Sequence, residues 1–134
     1  MAKKNKGYNE TRRLMNRWAF ERANKLMDEE NVSRKLAFQQ ANLTRELLEQ
    51  LGQGVVTFEY MKQDGTLREA RGTLRHGISE VFDSYVYKTD LSEKDHDTGL
   101  NFTYWDLDRE TFRSFSALNV VRICAVSIPN YDRQ

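Results

Sequence analysis

Two carboxylates two residues apart, in Asp106-Leu-Asp108, are the nearest approach of this chain to a catalytic or metal-holding pair. On an extended strand that spacing puts both on one face, as a hard cation would require. The plainer reading makes Asp108 the start of a turn and Asp106 a solvated strand end, and it is the one adopted here. Asp95-His96-Asp97 also contains ligand chemistry. Only His76 supplies a second imidazole, so the run reads as a loop of solvated charges. Cys124 is the single cysteine, which excludes an internal disulfide, and its apolar surroundings from Val120 to Ile128 predict an inert core thiol. Gly52 and Gly54 lack the spacing and the following Lys-Ser/Thr of a phosphate cradle. No Ser, His and Asp set stands out for acyl transfer. The expectation is a protein that is not an enzyme, with no cofactor and no metal.

What is left is recognition chemistry. Tyr60, Tyr85, Tyr87, Tyr104, Trp105, Phe112 and Phe115 are more large rings than a small β domain can bury completely. Exposed Tyr or Trp beside Arg68, Arg71, Arg109 and Arg113 would stack on bases while pairing with phosphates. The same set would line an aromatic groove for a peptide. The candidate binding residues are therefore Tyr60, Tyr104, Trp105, Arg68, Arg109 and Arg113. Most of the rings should form the core with arginines lying over them, and Tyr104 or Trp105 is the expected exception.

A second candidate surface comes from charge. The net charge of +1 hides an asymmetry: residues 1–51 carry eleven Lys/Arg against seven Asp/Glu, and residues 52–134 carry ten against thirteen. Lys3, Lys4, Lys6, Arg12, Arg13 and Arg17 concentrate the basic charge near the N-terminus, where they would contact phosphates or an acidic protein face. The mildly acidic remainder argues against a strong nucleic-acid surface on the β part. No apolar run approaches the roughly 18 residues of a membrane span. The N-terminus lacks the apolar core of a secretory signal. A cytoplasmic setting without a membrane partner is expected.

The elements that would position these residues follow from periodicity. A length of 134 residues suits one domain. Leu14, Met15, Trp18, Ala19, Ala23, Leu26 and Met27 repeat every three or four residues, one stripe of a helix over about 11–27. Ser33 should cap a second helix carrying Leu36, Ala37, Ala41, Thr44, Leu47, Leu48 and Leu51, with Gly52 as its stop. From Gly54 the period becomes two. Val55–Met61 and Leu67–Leu74 flank Asp64-Gly65, a strong hairpin signal, and Gly72 marks a bend or a close backbone approach. Ser84–Thr89 reads as a short strand. Asn101–Phe115 folds about the turn Asp108-Arg109-Glu110, and Asn119–Ile128 reads as a largely buried closing strand. The expected layout is a flexible basic tail over 1–10, a helical hairpin over 11–52, a β-barrel over 54–128 and a tail over 129–134. That is an α+β fold, an N-terminal αα-hairpin followed by a small five-stranded antiparallel β-barrel.

Gly54-Val-Val-Thr-Phe-Glu-Tyr-Met-Lys-Gln-Asp-Gly-Thr-Leu-Arg-Glu-Ala-Arg-Gly-Thr-Leu74, Tyr104–Phe115 and Asn119–Ile123 together resemble the SH3-like β-barrel proteins encoded by gut anaerobes and their crAss-like and other tailed phages. Leu14-Met-Asn-Arg-Trp18 is similar to the helical motif that precedes the barrel there. The resemblance covers residues 54–126 and implies an SH3-like barrel in a phage or mobile-element setting. It brings no catalytic residues. The leading expectation is a non-enzymatic binding or adaptor protein engaging a protein or nucleoprotein partner through an aromatic barrel face and the basic helix. The alternatives are a nucleic-acid-binding regulator using the basic N-terminal segment and a structural component of a virion or assembly. The location would be the host cytoplasm or the virion.

Overall fold

The computed structural model describes residues 6–88 and 99–129; for residues 6–12, 15 and 86–88 it describes the backbone alone. Helix α1 spans Lys6–Glu30 and helix α2 spans Arg34–Gln53. The first helix begins earlier than its apolar stripe, so residues 6–10 of the expected tail are helical. Residues 1–5, with Lys3 and Lys4, lie outside the described residues. No proline interrupts residues 6–13, and a helix anchored by packing propagates readily into such a stretch. Asn31 leaves α1 at φ 54°, the left-handed conformation Asn tolerates beyond a helix end. Ser33 then caps α2, its hydroxyl accepting from the Leu36 N–H at 3.2 Å.

Small residues let the two helices approach closely. Ala19, Ala23 and Leu26 of α1 and Ala37 and Ala41 of α2 are all buried. Leu14 and Leu36 are 58% and 38% exposed, so the stripe read from the sequence packs over only part of its length.

Five strands follow: β1 Val55–Met61, β2 Leu67–Thr73, β3 Asn101–Asp106, β4 Thr111–Ser116 and β5 Val120–Ser127. All pair antiparallel in the order β4-β3-β2-β1-β5. The β1–β2 turn is built as its residues dictate. Gly65 takes φ 86°, and an Asp64 oxygen accepts from the Thr66 N–H at 2.9 Å and its hydroxyl at 2.6 Å. Those two bonds hold the Asp64 carboxyl below its usual pKa. Leu47 and Leu51 of α2 join Val56, Phe58, Tyr60, Ala70, Tyr104, Phe115 and Val120 in one core, so the helical hairpin closes one end of the curled sheet. Gln40 fastens this joint. Its side-chain nitrogen donates toward the carbonyls of Ala117, Leu118 and Val120 at 3.1, 3.0 and 2.8 Å.

Four expectations change. The cylinder is not closed: β4 and β5 are the two edges and do not pair among the described residues, with the 3-10 turn Ala117–Asn119 carrying the chain between them. Of the strand expected over 84–89, residues 84–88 belong instead to a helix, α3 (Glu80–Lys88), and residue 89 lies outside the described residues. The Ser79 hydroxyl accepts from the Phe82 N–H at 3.1 Å, and Phe82 and Tyr85, three residues apart, share the helix face that meets Trp105. Finally, β5 is mostly exposed. Its register against β1 shifts twice, so Val120, Ile123 and Val126 lie opposite Tyr60, Phe58 and Val56. Bulges have turned an inward period of two into three. Cys124 falls where the first shift occurs and is exposed, not the core thiol expected.

Candidate functional site

The sheet's inner face changes character toward the end away from α2. In β1, Val56 and Phe58 give way to Tyr60; in β2, Gly72 and Ala70 give way to Arg68. Directly opposed residues share a face, so the pairings Tyr60↔Arg68 and Tyr104↔Arg113 turn two tyrosines and two arginines into the same mouth. Small residues on β2 make this possible. A Cβ on Gly72 would lie 2.6 Å from the Tyr104 ring and 3.0 Å from the Trp105 carbonyl, the close approach that the glycine had signalled.

The tyrosine hydroxyls meet at 2.9 Å. Burial, and then the bond to Tyr60, push the Tyr104 hydroxyl's pKa well above the ordinary tyrosine value, so Tyr104 is neutral at physiological pH. Arg113 lies 3.2 Å from an oxygen of Asp106. The other Asp106 oxygen accepts from the backbone N–H groups of Asp108 and Arg109 at 3.0 and 3.1 Å. Asp106 is thus buried and holds a turn together, where a solvated strand end was expected. Arg68 has no hydrogen bond or ion pair among the described residues, and it is half-buried at the rim. The mouth opens into a groove of about 860 Å³, bordered by the C-terminal end of α1 at Glu29 and Glu30, by the β1–β2 turn and by β4. That volume is within the range of small-ligand sites.

The anticipated set of binding residues is therefore divided. Tyr60, Arg68 and Arg113 border the groove. Tyr104 is fully buried behind Tyr60 and does not border the groove, and Trp105 is fully buried on the opposite sheet face. Adjacent strand residues point to opposite faces, so Tyr104 and Trp105 could not have served one surface. Trp105 packs against Phe82, Tyr85 and Phe112 at centroid separations of 5.7, 5.7 and 4.9 Å, which α3 makes possible. Of the rings singled out in the sequence, Tyr85 is exposed, and the Tyr87 side chain lies outside the described residues. Arg109 is exposed on the β3–β4 turn, beside a smaller recess. Of the basic N-terminal set, Arg13 and Arg17 are exposed on α1, with Arg17 lying 3.7 Å from Glu21. The Lys6 and Arg12 side chains lie outside the described residues, as does Asp95-His96-Asp97.

Sequence reading missed the groove's acidic flank, because Glu29 and Glu30 are distant in the chain from the barrel. It also missed Glu59, Glu69 and Cys124, whose donor atoms lie within 4.8 Å of one another on the outer face. Arg122 already contacts both Glu59 oxygens at 2.8 and 3.4 Å and supplies that carboxylate's counter-charge.

A helical hairpin thus seals a five-stranded antiparallel sheet, with a 3-10 turn before the last strand. The model of the WYL_2 family, described as an Sm-like SH3 beta-barrel fold, matches residues 44–121. The chain belongs to this family. The matched region begins within α2, in keeping with that helix being part of the barrel's core. No curated protein and no solved structure matches the chain. Among the described residues, no helix is long and apolar enough to cross a membrane.

Proposed function

We propose that this WYL_2 chain is a non-enzymatic recognition module, of phage or mobile-element origin, that engages a protein or nucleoprotein partner at the open mouth of its barrel. One observation carries the reading: a groove on regular strands in which Arg68, with no partner among the described residues, Arg113 and Tyr60, whose hydroxyl is bonded to that of the buried Tyr104, converge. Sites built on regular elements hold such groups in fixed geometry. The described residues of the groove include no histidine or cysteine. This supports binding over nucleophilic chemistry. The aromatic face expected from the sequence gives way, in this reading, to a polar mouth above an aromatic floor.

The test is capture of partners from source cells by the tagged full chain, with cross-linking, beside the double variant Arg68→Glu/Arg113→Gln. The expected outcome is a partner retained by the parent chain and lost by the variant. Capture that is indifferent to both substitutions would refute a role for the mouth. A second reading rests on the exposed Arg13 and Arg17 of α1, which would place nucleic acid on the basic helix. In that case retention of DNA or RNA falls steeply with salt and is lost on Arg13→Gln/Arg17→Gln.

A further inference from the structure

The groove runs beside an unused strand edge. The Ala117 N–H donates to the Leu100 carbonyl at 2.7 Å, which makes that pair hydrogen-bonded. Antiparallel ladders alternate, so Phe102/Phe115 and Tyr104/Arg113 are hydrogen-bonded pairs as well. The backbone groups of Phe112, Ser114 and Ser116 therefore turn outward, and β4 has no further strand partner among the described residues. All three residues border the groove.

The floor has an unmet donor. Two hydroxyls carry two protons and share one hydrogen bond, so one proton of the Tyr60–Tyr104 pair has no acceptor among the described residues, although Tyr60 is only 4% exposed. Arg68 adds a fork of donors beside it. The groove as a whole is not basic. Lys62, Arg68 and Arg113 are balanced by Glu29, Glu30 and Asp64, and the negative end of the α1 dipole lies with the two glutamates. A phosphodiester chain would meet that acidic flank. A chain bearing both an anionic and a cationic group would be matched along its length.

We propose that the groove receives an extended peptide segment of a partner protein, which adds as a strand along β4. It places a carboxylate on Arg68 and the Tyr60 hydroxyl and sets a Lys or Arg side chain against Glu29 and Glu30. This rests on the recognition role proposed above and names the ligand class for it.

A displayed random dodecapeptide library selected on the immobilised full chain tests the idea. Selected peptides are resynthesised as free acids, as C-terminal amides and with Asp or Glu replaced by the amide. The expected peptides combine one carboxylate with a Lys or Arg. Their affinity falls roughly tenfold or more on Arg68→Gln, the loss typical of a hydrogen-bonded charge. It falls comparably when alternate backbone amides are N-methylated. The acid and amide arms tell a terminal from a side-chain carboxylate. Thermal unfolding of Arg68→Gln should match the parent, since Arg68 bonds to nothing in the described structure. Failure to select any peptide, equal binding to Arg68→Gln, or tolerance of N-methylation overturns the proposal. Arg68-dependent binding of oligo(dT) or oligo(U) instead would assign the groove to nucleic acid. If captured partners need Arg68 and Arg113 but no peptide does, the recognition role stands and the peptide falls; if capture ignores the groove, both fall.

Discussion

At the residue scale, Gly72 and Tyr104 decide whether the mouth exists. The Tyr104 ring is held edge-on by Phe58 at 5.1 Å and tilted against Phe115 at 6.0 Å, so it cannot retreat from a side chain on β2. Gly72→Ala is therefore expected to destabilise the fold by about 1–3 kcal/mol, the ordinary cost of overpacking, as measured by urea denaturation. Tyr104 also sets a pH dependence. Because Tyr104 resists ionisation in the folded state, the unfolded chain ionises first. Stability is then retained up to the ordinary tyrosine range near about pH 10 and lost as pH rises beyond it. Unfolding curves between neutral and strongly alkaline pH should show that decline, and Tyr104→Phe should flatten it. Cys124 gives a simpler check: an exposed thiol should react with a colorimetric thiol reagent in the native protein, whereas a core thiol would wait for denaturant.

Between elements, the strongest dependences run through α2 and α3. Gln40 is buried, and its one amide nitrogen serves three carbonyls at the β4–β5 crossing. Gln40→Leu leaves those acceptors dry and is expected to cost about 2–3 kcal/mol by chemical denaturation, since burying an unmet polar group costs its full desolvation. For α3, Phe82 carries the contact with Trp105 and is itself 2% exposed. In a Trp18→Phe background, Phe82→Ala should shift Trp105 emission to longer wavelength and cost about 3–5 kcal/mol. A blue-shifted, unchanged spectrum would show that α3 does not cover the indole.

For the whole molecule, the helices and the sheet form one unit, because Leu47 and Leu51 occupy the same core as Phe58 and Phe115. A chain cut to residues 54–128 should fail to fold, seen as a collapsed amide spectrum by NMR. Folding of that fragment would show the helices to be an appendage. The open sheet also leaves two edges that the fold treats differently. The β5 edge carries two register shifts, and bulges of this kind discourage pairing with other strands. The pairing along β4 continues in regular register from Asn101↔Ser116 to Asp106↔Thr111. That asymmetry directs strand addition to the groove side of the molecule.

Local chemistry was enough to read the helical hairpin, the Ser33 cap, the Asp64-Gly65 turn and the antiparallel class, because each depends on neighbours three or four residues apart or fewer. It was also enough to single out Tyr60, Arg68 and Arg113 as residues of interest. It could not say that Trp105 turns away from Tyr104's surface to meet α3. Nor could it say that bulges would expose β5, or that Glu29 and Glu30 would come to border the mouth. Those outcomes depend on register and on contacts between residues far apart in the chain. A one-residue change of register exchanges the two faces of a strand, and no local pattern records it.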